Sequence, residues 1–144
     1  MDDVWSWDGD VLQCKGRPIG YIRTNADYTN FVLRLQWRFD PVTKQEGNSG
    51  VLLRMVGEDT VWPRSVEAQL MSKRAGDFWN IGEFVMSTVD GRRNGRHTAA
   101  THHHENAVGE WNDYEIIVDG GRVELWVNGE LLNLNLDQQT LDAM

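Results

Sequence analysis

The first candidate site in the sequence is a carboxylate and an amide two residues apart. Glu67 and Gln69 alternate with three apolar residues, Val66, Ala68 and Leu70. In a β-strand this spacing points Glu67 and Gln69 to one face and the apolar residues to the other. Carboxylate and amide groups bind sugar hydroxyls through several hydrogen bonds, so the pair predicts a polar face that recognises carbohydrate. A solvated outer face with weak ion pairs is the alternative interpretation.

A glycine-framed turn supplies a second set of polar groups. Asn48 and Ser49 lie between two glycines and offer short hydrogen-bonding side chains at the entry to a predicted strand. Arg54 lies on that strand, where we expect it to share the face of Leu52. An ordinary turn followed by a strand is the alternative.

The clearest strand in the sequence carries three further polar side chains. Residues 31–39 are apolar at every odd position, while Arg34, Gln36 and Arg38 occupy even positions. Such alternation is typical of a half-buried strand. If its polar face coincides with that of Glu67 and Arg54, carboxylate, amide and guanidinium groups concentrate at one place.

Four histidines form the third candidate group. His102, His103 and His104 are consecutive and are followed by Glu105, while His97 precedes them. On an extended chain His102 and His104 point to one side, where His97 can join them. Neutral imidazole is a common metal ligand, so His97, His102 and His104 are the candidate ligands of a divalent metal. An exposed polar loop is the alternative.

Short strands must position all of these groups. Apolar residues also alternate in residues 51–55, 66–70, 114–118 and 123–127. Asn128-Gly129 between two such segments is a strong hairpin signal, so residues 113–136 predict a three-stranded antiparallel meander. We also expect strands at residues 4–7, 11–14 and 19–23, surface loops at 57–63 and 91–109, and a helical turn at 138–144. Many short strands with frequent turns favour an all-β sandwich or barrel, as one domain over residues 1–144.

Composition and charge exclude several classes of function. The 144 residues include 22 acidic and 14 basic side chains, a net charge of −8, which argues against nucleic acid and anionic membranes as partners. Cys14 is the single cysteine, so no intrachain disulfide is possible. The sequence has neither the pattern of a signal peptide at its start nor a membrane-spanning run, so we expect a soluble chain. Seven tryptophans exceed what a small core readily absorbs, and we expect one or two at the surface, where flat rings suit the faces of sugars.

Six segments, in order, resemble one family. They are GYIRT (20–24), YTNFVLRLQWRF (28–39), GNSGVLLR (47–54), EAQL (67–70), GEWN (109–112) and VNGE (127–130). Over about residues 5–135 the sequence is similar to the 3-keto-disaccharide hydrolase family. That resemblance implies a concanavalin A-like jelly roll of two antiparallel sheets.

The resemblance also implies attack on glycosides that are already oxidised at sugar carbon 3. The ketone acidifies the hydrogen on carbon 2, so a modest base can remove it; the leaving group then departs from carbon 1 and water adds back. Such an enzyme needs a base, for which Glu67 or a histidine of residues 102–104 is the candidate. It also needs a clamp for the enolate oxygen, assigned to Arg54, and a divalent metal on the keto oxygen is a further option. The predicted catalytic residues are Glu67, Arg54, His102 and His104, and the predicted substrate-binding residues are Asn48, Gln69, Arg34, Arg38 and Trp79.

Two other functions stay open. A non-catalytic carbohydrate-binding module on the same sandwich would keep tryptophan and arginine contacts but need no titrating base. A structural or adaptor domain, as a homo-oligomer or with another partner, is the third interpretation. It follows from the family's final strand, which this sequence lacks, so that a sheet edge is left for a partner strand to complete. Relatives often have Glu at the position of Gln36, and they are often exported to the periplasm or beyond the cell.

Overall fold

The computed structural model describes residues 4–144, and its regular secondary structure is almost entirely antiparallel strand. The elements are β1 (Trp5–Asp8), β2 (Val11–Cys14), β3 (Phe31–Trp37), β4 (Gly50–Val56), β5 (Arg64–Gln69), β6 (Phe78–Ile81), β7 (Met86–Ser87), β8 (His97–Thr98), β9 (Asn112–Asp119), β10 (Arg122–Val127), β11 (Glu130–Asp137) and α1 (Gln138–Asp142). They form a β1-β2 hairpin, a five-stranded sheet in the order β3-β9-β10-β11-β7 and a four-stranded sheet in the order β4-β5-β6-β8. The predicted all-β class is confirmed. Residues 1–3 of the predicted domain lie outside the described residues.

The two larger sheets enclose the core between them. Leu53, Val66 and Phe78 of the four-stranded sheet belong to the same buried cluster as Ile116 and Leu125 of the five-stranded sheet. Alternation along each strand turns its apolar side toward the other sheet and its polar side outward. The molecule is therefore the predicted concanavalin A-like jelly-roll sandwich, with two outer faces pointing in opposite directions. We call these the four-strand outer face and the five-strand outer face.

The predicted meander is β9, β10 and β11, joined by two tight turns. β10 pairs with both neighbours in antiparallel register. Asn128 and Gly129, between β10 and β11, have φ values of 48° and 83°, the left-handed conformations that the Asn-Gly signal predicted. The hairpin signal therefore located this turn correctly.

The structure differs from the sequence prediction in two connecting segments. Residues 19–23 form no strand. Tyr21 and Arg23 instead bond to Asp59 through their side chains, at 2.7 and 3.3 Å. The expected loop at residues 91–109 contains the short strand β8, which carries His97.

The C-terminal segment agrees with the prediction. The expected helical turn is α1, and Asp137 caps it by accepting a hydrogen bond from the backbone N–H of Thr140. Within residues 4–144 no helix is long and apolar enough to cross a membrane.

Candidate functional site

A row of side chains crosses the four-strand outer face. Strand pairing places Leu52 opposite Glu67, Glu67 opposite Trp79, and Trp79 opposite His97. Directly opposed residues of paired strands point to the same face. Neighbouring strands lie about 4.8 Å apart, so the backbones of Glu67 and His97 are about 10 Å apart, with Trp79 between them.

Gly50 makes room for the carboxylate of Glu67. A Cβ atom at Gly50 would lie 2.8 Å from Glu67 Cδ, closer than real Cβ contacts allow, so the Glu67 side chain lies against the glycine. Glu67 is half-buried there, and burial raises the pKa of its carboxyl group above the usual value. Burial is the single cause of this shift. Among the described residues, no cation or hydrogen-bond donor lowers the pKa of Glu67 again. A carboxylate held this way is suited to take up a proton.

Three predicted substrate-binding residues lie on the same face as Glu67. The indole Nε1 of Trp79 donates a hydrogen bond to Gln69 Oε1 at 2.9 Å, which fixes the ring against the sheet. Backbone hydrogen bonds continue the β4-β5 pairing through residues 47–49 and 70–72. Asn48, two residues before Gly50, therefore points to this face as well.

Asp77 is a site residue that the sequence reasoning missed. It is fully buried, and its carboxylate oxygens lie 2.7 Å from Nε2 of His97 and 3.3 Å from Nε2 of His103. The backbone N–H of Ala100 donates to it at 2.9 Å. The His97 ring also stacks on Trp79, with centroids 4.4 Å apart. A buried carboxylate that holds Nε2–H leaves Nδ1 of His97 as the nitrogen for a substrate.

No sequence signal connects Asp77 with His97. The two residues are 20 positions apart, in the β5-β6 connection and in β8. Asp77 stands in no motif, and β6 and β8 are too short for their period to be read from the sequence. Only the pairing of these strands brings the two side chains together.

His102 and His104 lie on one side of their loop and away from His97. Their Nε2 atoms are 2.5 and 3.5 Å from the carboxylate of Glu130, in the β10-β11 hairpin. The hydrogen bond from His102 lowers the pKa of Glu130. Within the described residues no group of three or more His, Cys, Asp or Glu side chains is arranged to hold a metal ion. The three histidines named as metal ligands therefore do not form one set.

The same loop also contacts the four-stranded side through its odd-numbered residues. His103 reaches Asp77, and the carboxylate of Glu105 accepts hydrogen bonds from the backbone N–H groups of Lys73 and Ala75, at 2.8 and 2.9 Å. Residues 102–105 thus bind alternately to the two sheets.

Arg54 does not share the face of Leu52 as expected. It has a left-handed φ of 55° at an irregularity of the β4-β5 register, and such a bulge interrupts the alternation of side chains. Its guanidinium donates a hydrogen bond to the backbone carbonyl of Gly120, in the β9-β10 turn of the other sheet. Arg54 therefore links the sheets at a distance from Glu67.

Arg34, Gln36 and Arg38 are also separated from Glu67. Arg34 and Gln36 are in β3, which pairs with β9 of the five-stranded sheet, and Arg38 follows directly after β3 and lies over Trp111. These side chains therefore lie on the five-strand outer face. The alternation correctly predicted which residues are polar-facing, but it carries no information about which sheet receives the strand. The expected single polar face is thus divided between two sides of the sandwich.

Two depressions of the surface lie away from Glu67. One, of about 420 Å³, is lined by Tyr21 and Asp59 among others. The other, of about 550 Å³, lies on the five-strand outer face beside Arg34 and Trp126.

Comparisons with known proteins agree with this architecture. Two crystal structures of a "putative glycosyl hydrolase" from Parabacteroides distasonis are each 22% identical to this chain, with TM-scores of 0.60 and 0.63. The similarity covers 91% and 93% of this chain but 61% and 63% of those chains. The chain therefore spans less than two thirds of their length, and at this identity the likeness concerns the fold. None of the curated proteins compared matches the chain.

A family model gives the more specific result. The model of the 3-keto-alpha-glucoside-1,2-lyase-like domain matches residues 2–143, nearly the whole sequence. This chain belongs to the 3-keto-disaccharide hydrolase family.

Proposed function

We propose that this domain cleaves 3-keto-glycosides by elimination followed by hydration, with Glu67 as the base. Glu67 takes the proton from carbon 2, and the electron pair left behind forms an enolate with the carbon-3 ketone. The bond from carbon 1 to the glycosidic oxygen then breaks, and that oxygen takes up a proton to leave as an alcohol. Water adds across the new double bond, so the products are a free 3-keto sugar and the alcohol.

The observation that carries the proposal is the environment of Glu67. Its carboxyl group is half-buried on a polar sheet face, and burial alone raises its pKa. A general base works best when its pKa approaches the working pH, and an ordinary surface carboxylate is too weakly basic for that. Enolisation next to a ketone requires only a modest base, which matches a single carboxylate rather than a closely spaced pair.

His97 is the second titratable group that we place in the reaction. It lies across Trp79 from Glu67, and buried Asp77 holds its Nε2 at 2.7 Å. A sugar ring that lies across this row of side chains would therefore have Glu67 toward one end and His97 toward the other. We assign protonation of the leaving oxygen to Nδ1 of His97 in its doubly protonated form, and His97 regains that proton from the water that adds at carbon 1. Gln69 and Asn48 are assigned to positioning the sugar hydroxyls.

The reaction is tested with 4-nitrophenyl 3-keto-α-glucoside in D₂O. We expect release of 4-nitrophenol and a 3-keto sugar that carries deuterium at carbon 2, because hydration returns a solvent proton there. The unoxidised 4-nitrophenyl α-glucoside should not react, since its carbon-2 hydrogen is not acidic. Authentic 3-keto-glucose, kept with the protein in D₂O, corrects for exchange that occurs without elimination.

Two results would contradict the proposal. Release from both glucosides without deuterium at carbon 2 would indicate direct displacement at carbon 1. No release from the keto substrate, together with binding of unoxidised oligosaccharides, would identify a carbohydrate-binding module instead.

A further inference from the structure

We infer that the five-strand outer face is a second carbohydrate-binding surface, which takes a neutral oligosaccharide along strands β3 and β9. This face is on the side of the sandwich opposite Glu67, and the inference does not depend on the proposed reaction.

Three successive side-chain pairs form a band along β3 and β9, the third lying one residue beyond the paired strands. They are Arg34–Glu115, Gln36–Asp113 and Arg38–Trp111. The polar atoms of the first two pairs are 2.6 and 2.9 Å apart, and the guanidinium of the third is 4.4 Å from the indole centroid. The band spans four residues of strand, or about 13 Å. Planar amide, carboxylate and guanidinium groups arranged in a row present both donors and acceptors, which is what sugar hydroxyls require.

Tryptophan side chains stand at both ends of this band. Trp126 of β10 lies opposite Glu115 and lines the 550 Å³ depression. Its Nε1 donates to Glu124 at 3.0 Å, so the orientation of the ring is fixed. At the other end Trp111 is 39% exposed under Arg38. Two indoles separated by polar groups match a ligand that alternates apolar ring faces with hydroxyl edges.

The charge of the band favours a neutral ligand. The two guanidinium groups of Arg34 and Arg38 balance the two carboxylates of Asp113 and Glu115, although the whole chain has a net charge of −8. An anionic or cationic ligand would find no excess of opposite charge here, whereas neutral hydroxyl groups can bond to charges that are already paired.

A merely solvated sheet face accounts for less of what is seen. Exposed ion pairs such as Arg34–Glu115, whose arginine side chain is 76% exposed, contribute little to stability. Such ion pairs do not account for the partly exposed rings of Trp111 and Trp126 on the same face, and exposed apolar surface is a mark of ligand-binding sites. Of the seven tryptophans, two are more exposed than Trp111, namely Trp7 and Trp62, and Trp62 provides a control outside the band.

The test is calorimetric titration with five neutral hexasaccharides: cello-, malto-, laminari-, xylo- and chito-oligosaccharide. We expect at least one of them to bind. Trp111→Ala and Gln36→Ala should each weaken that binding by about tenfold, the effect of losing one stacking or hydrogen-bonding contact. Both positions are exposed, so the folded structure should persist, as circular dichroism will verify. Trp62→Ala and Glu67→Gln should bind as the wild type does.

Each outcome decides the matter. Binding that is lost in Trp111→Ala and Gln36→Ala but kept in Glu67→Gln supports a second surface. Binding that Glu67→Gln abolishes while the band variants keep it assigns the sugar to the four-strand outer face and overturns the inference. Failure of all five sugars to bind also overturns it. None of these results decides whether Glu67 is a catalytic base, which the keto-glucoside assay tests separately.

Discussion

The carboxylates on the two outer faces differ in whether they have bonding partners. On the four-strand outer face Glu67 is half-buried beside Gly50, and burial alone sets its pKa. On the five-strand outer face Glu115 and Asp113 each bond to a side chain of β3, at 2.6 and 2.9 Å. A desolvated, unpaired carboxylate is costly to maintain, and such groups are concentrated where chemistry is done. Carboxylates that are paired with a donor on the neighbouring strand cost less to maintain and suit recognition.

The difference shows that polar residue types alone do not identify a reactive face. Both faces carry carboxylate, amide and tryptophan side chains, and the five-strand outer face holds a depression of about 550 Å³. What separates them is the set of bonding partners: burial alone acts on Glu67, whereas Asp113 and Glu115 bond to side chains of β3.

The comparison is most sharply tested by removing one carboxylate from each face. Glu67→Gln should lower kcat/KM for the keto-glucoside by about 10²- to 10⁴-fold, the usual contribution of a general base. The matched variant Glu115→Gln should stay within a few-fold of the wild type. Equal losses from the two variants would mean that the faces do not differ in the way described.

Moving the carboxylate without removing it should have the next largest effect. In Gly50→Ala the new methyl group displaces the flexible end of Glu67, and a displacement near 1 Å can cost about 10²-fold in rate. Gly20→Ala is the control, because a Cβ there meets nothing within 4 Å. Rate assays should be paired with urea unfolding. A loss of stability in Gly50→Ala large enough to account for the lost rate would count against a positional effect.

The pH dependence should separate the faces further. Since the pKa of Glu67 is raised above its usual 4.5, kcat/KM should fall about tenfold per pH unit below that raised pKa, as the base becomes protonated. The acid limb should disappear in Glu67→Gln and remain in Glu115→Gln.

Stability should respond to pH with the opposite sign from that of a salt-bridged carboxyl group. Burial makes the folded state bind the Glu67 proton more tightly than the unfolded state, so this group's contribution to stability falls as pH rises from about 4.5 through the raised pKa. Glu67→Gln should therefore be at least as stable as the wild type at pH 7 in urea unfolding.

The smallest effect is expected from breaking an ion pair on the five-strand outer face. Arg34→Ala removes the partner of Glu115, and because the pair is largely exposed the free energy of unfolding should change by less than about 1 kcal/mol. Chemical denaturation at low and high salt measures this change. A loss of several kcal/mol would show that the pair is structural rather than available to a ligand.

The fold could be predicted because its signals are local. Period-two alternation marked β3, and Asn128-Gly129 marked the last hairpin. The placement of Glu67 with Gln69 on one face also followed from spacing alone. The division of the polar residues between two sheets could not be predicted, because alternation is the same whichever sheet a strand joins.

The remaining site residues depended on contacts between distant segments. Asp77 meets His97 only because β6 pairs with β8. The sequence predicted the wrong face for Arg54. A register irregularity and a positive φ interrupt its strand, which looks regular in the sequence. Neither the pairing of β6 with β8 nor the irregularity at Arg54 can be predicted from a residue pattern in the sequence.

The alternating contacts of residues 102–105 have a consequence for how the sandwich opens. Even-numbered side chains bind Glu130 of the five-stranded sheet, and Glu105 binds the amides of Lys73 and Ala75 on the other side. This loop therefore connects the two sheets through side-chain contacts. The Lys73 and Ala75 amides are protected from hydrogen exchange by a side chain rather than by a neighbouring strand. They therefore exchange when this loop detaches, even while the sheets remain intact. Their exchange rates thus report how often residues 102–105 detach from the four-stranded side of the molecule.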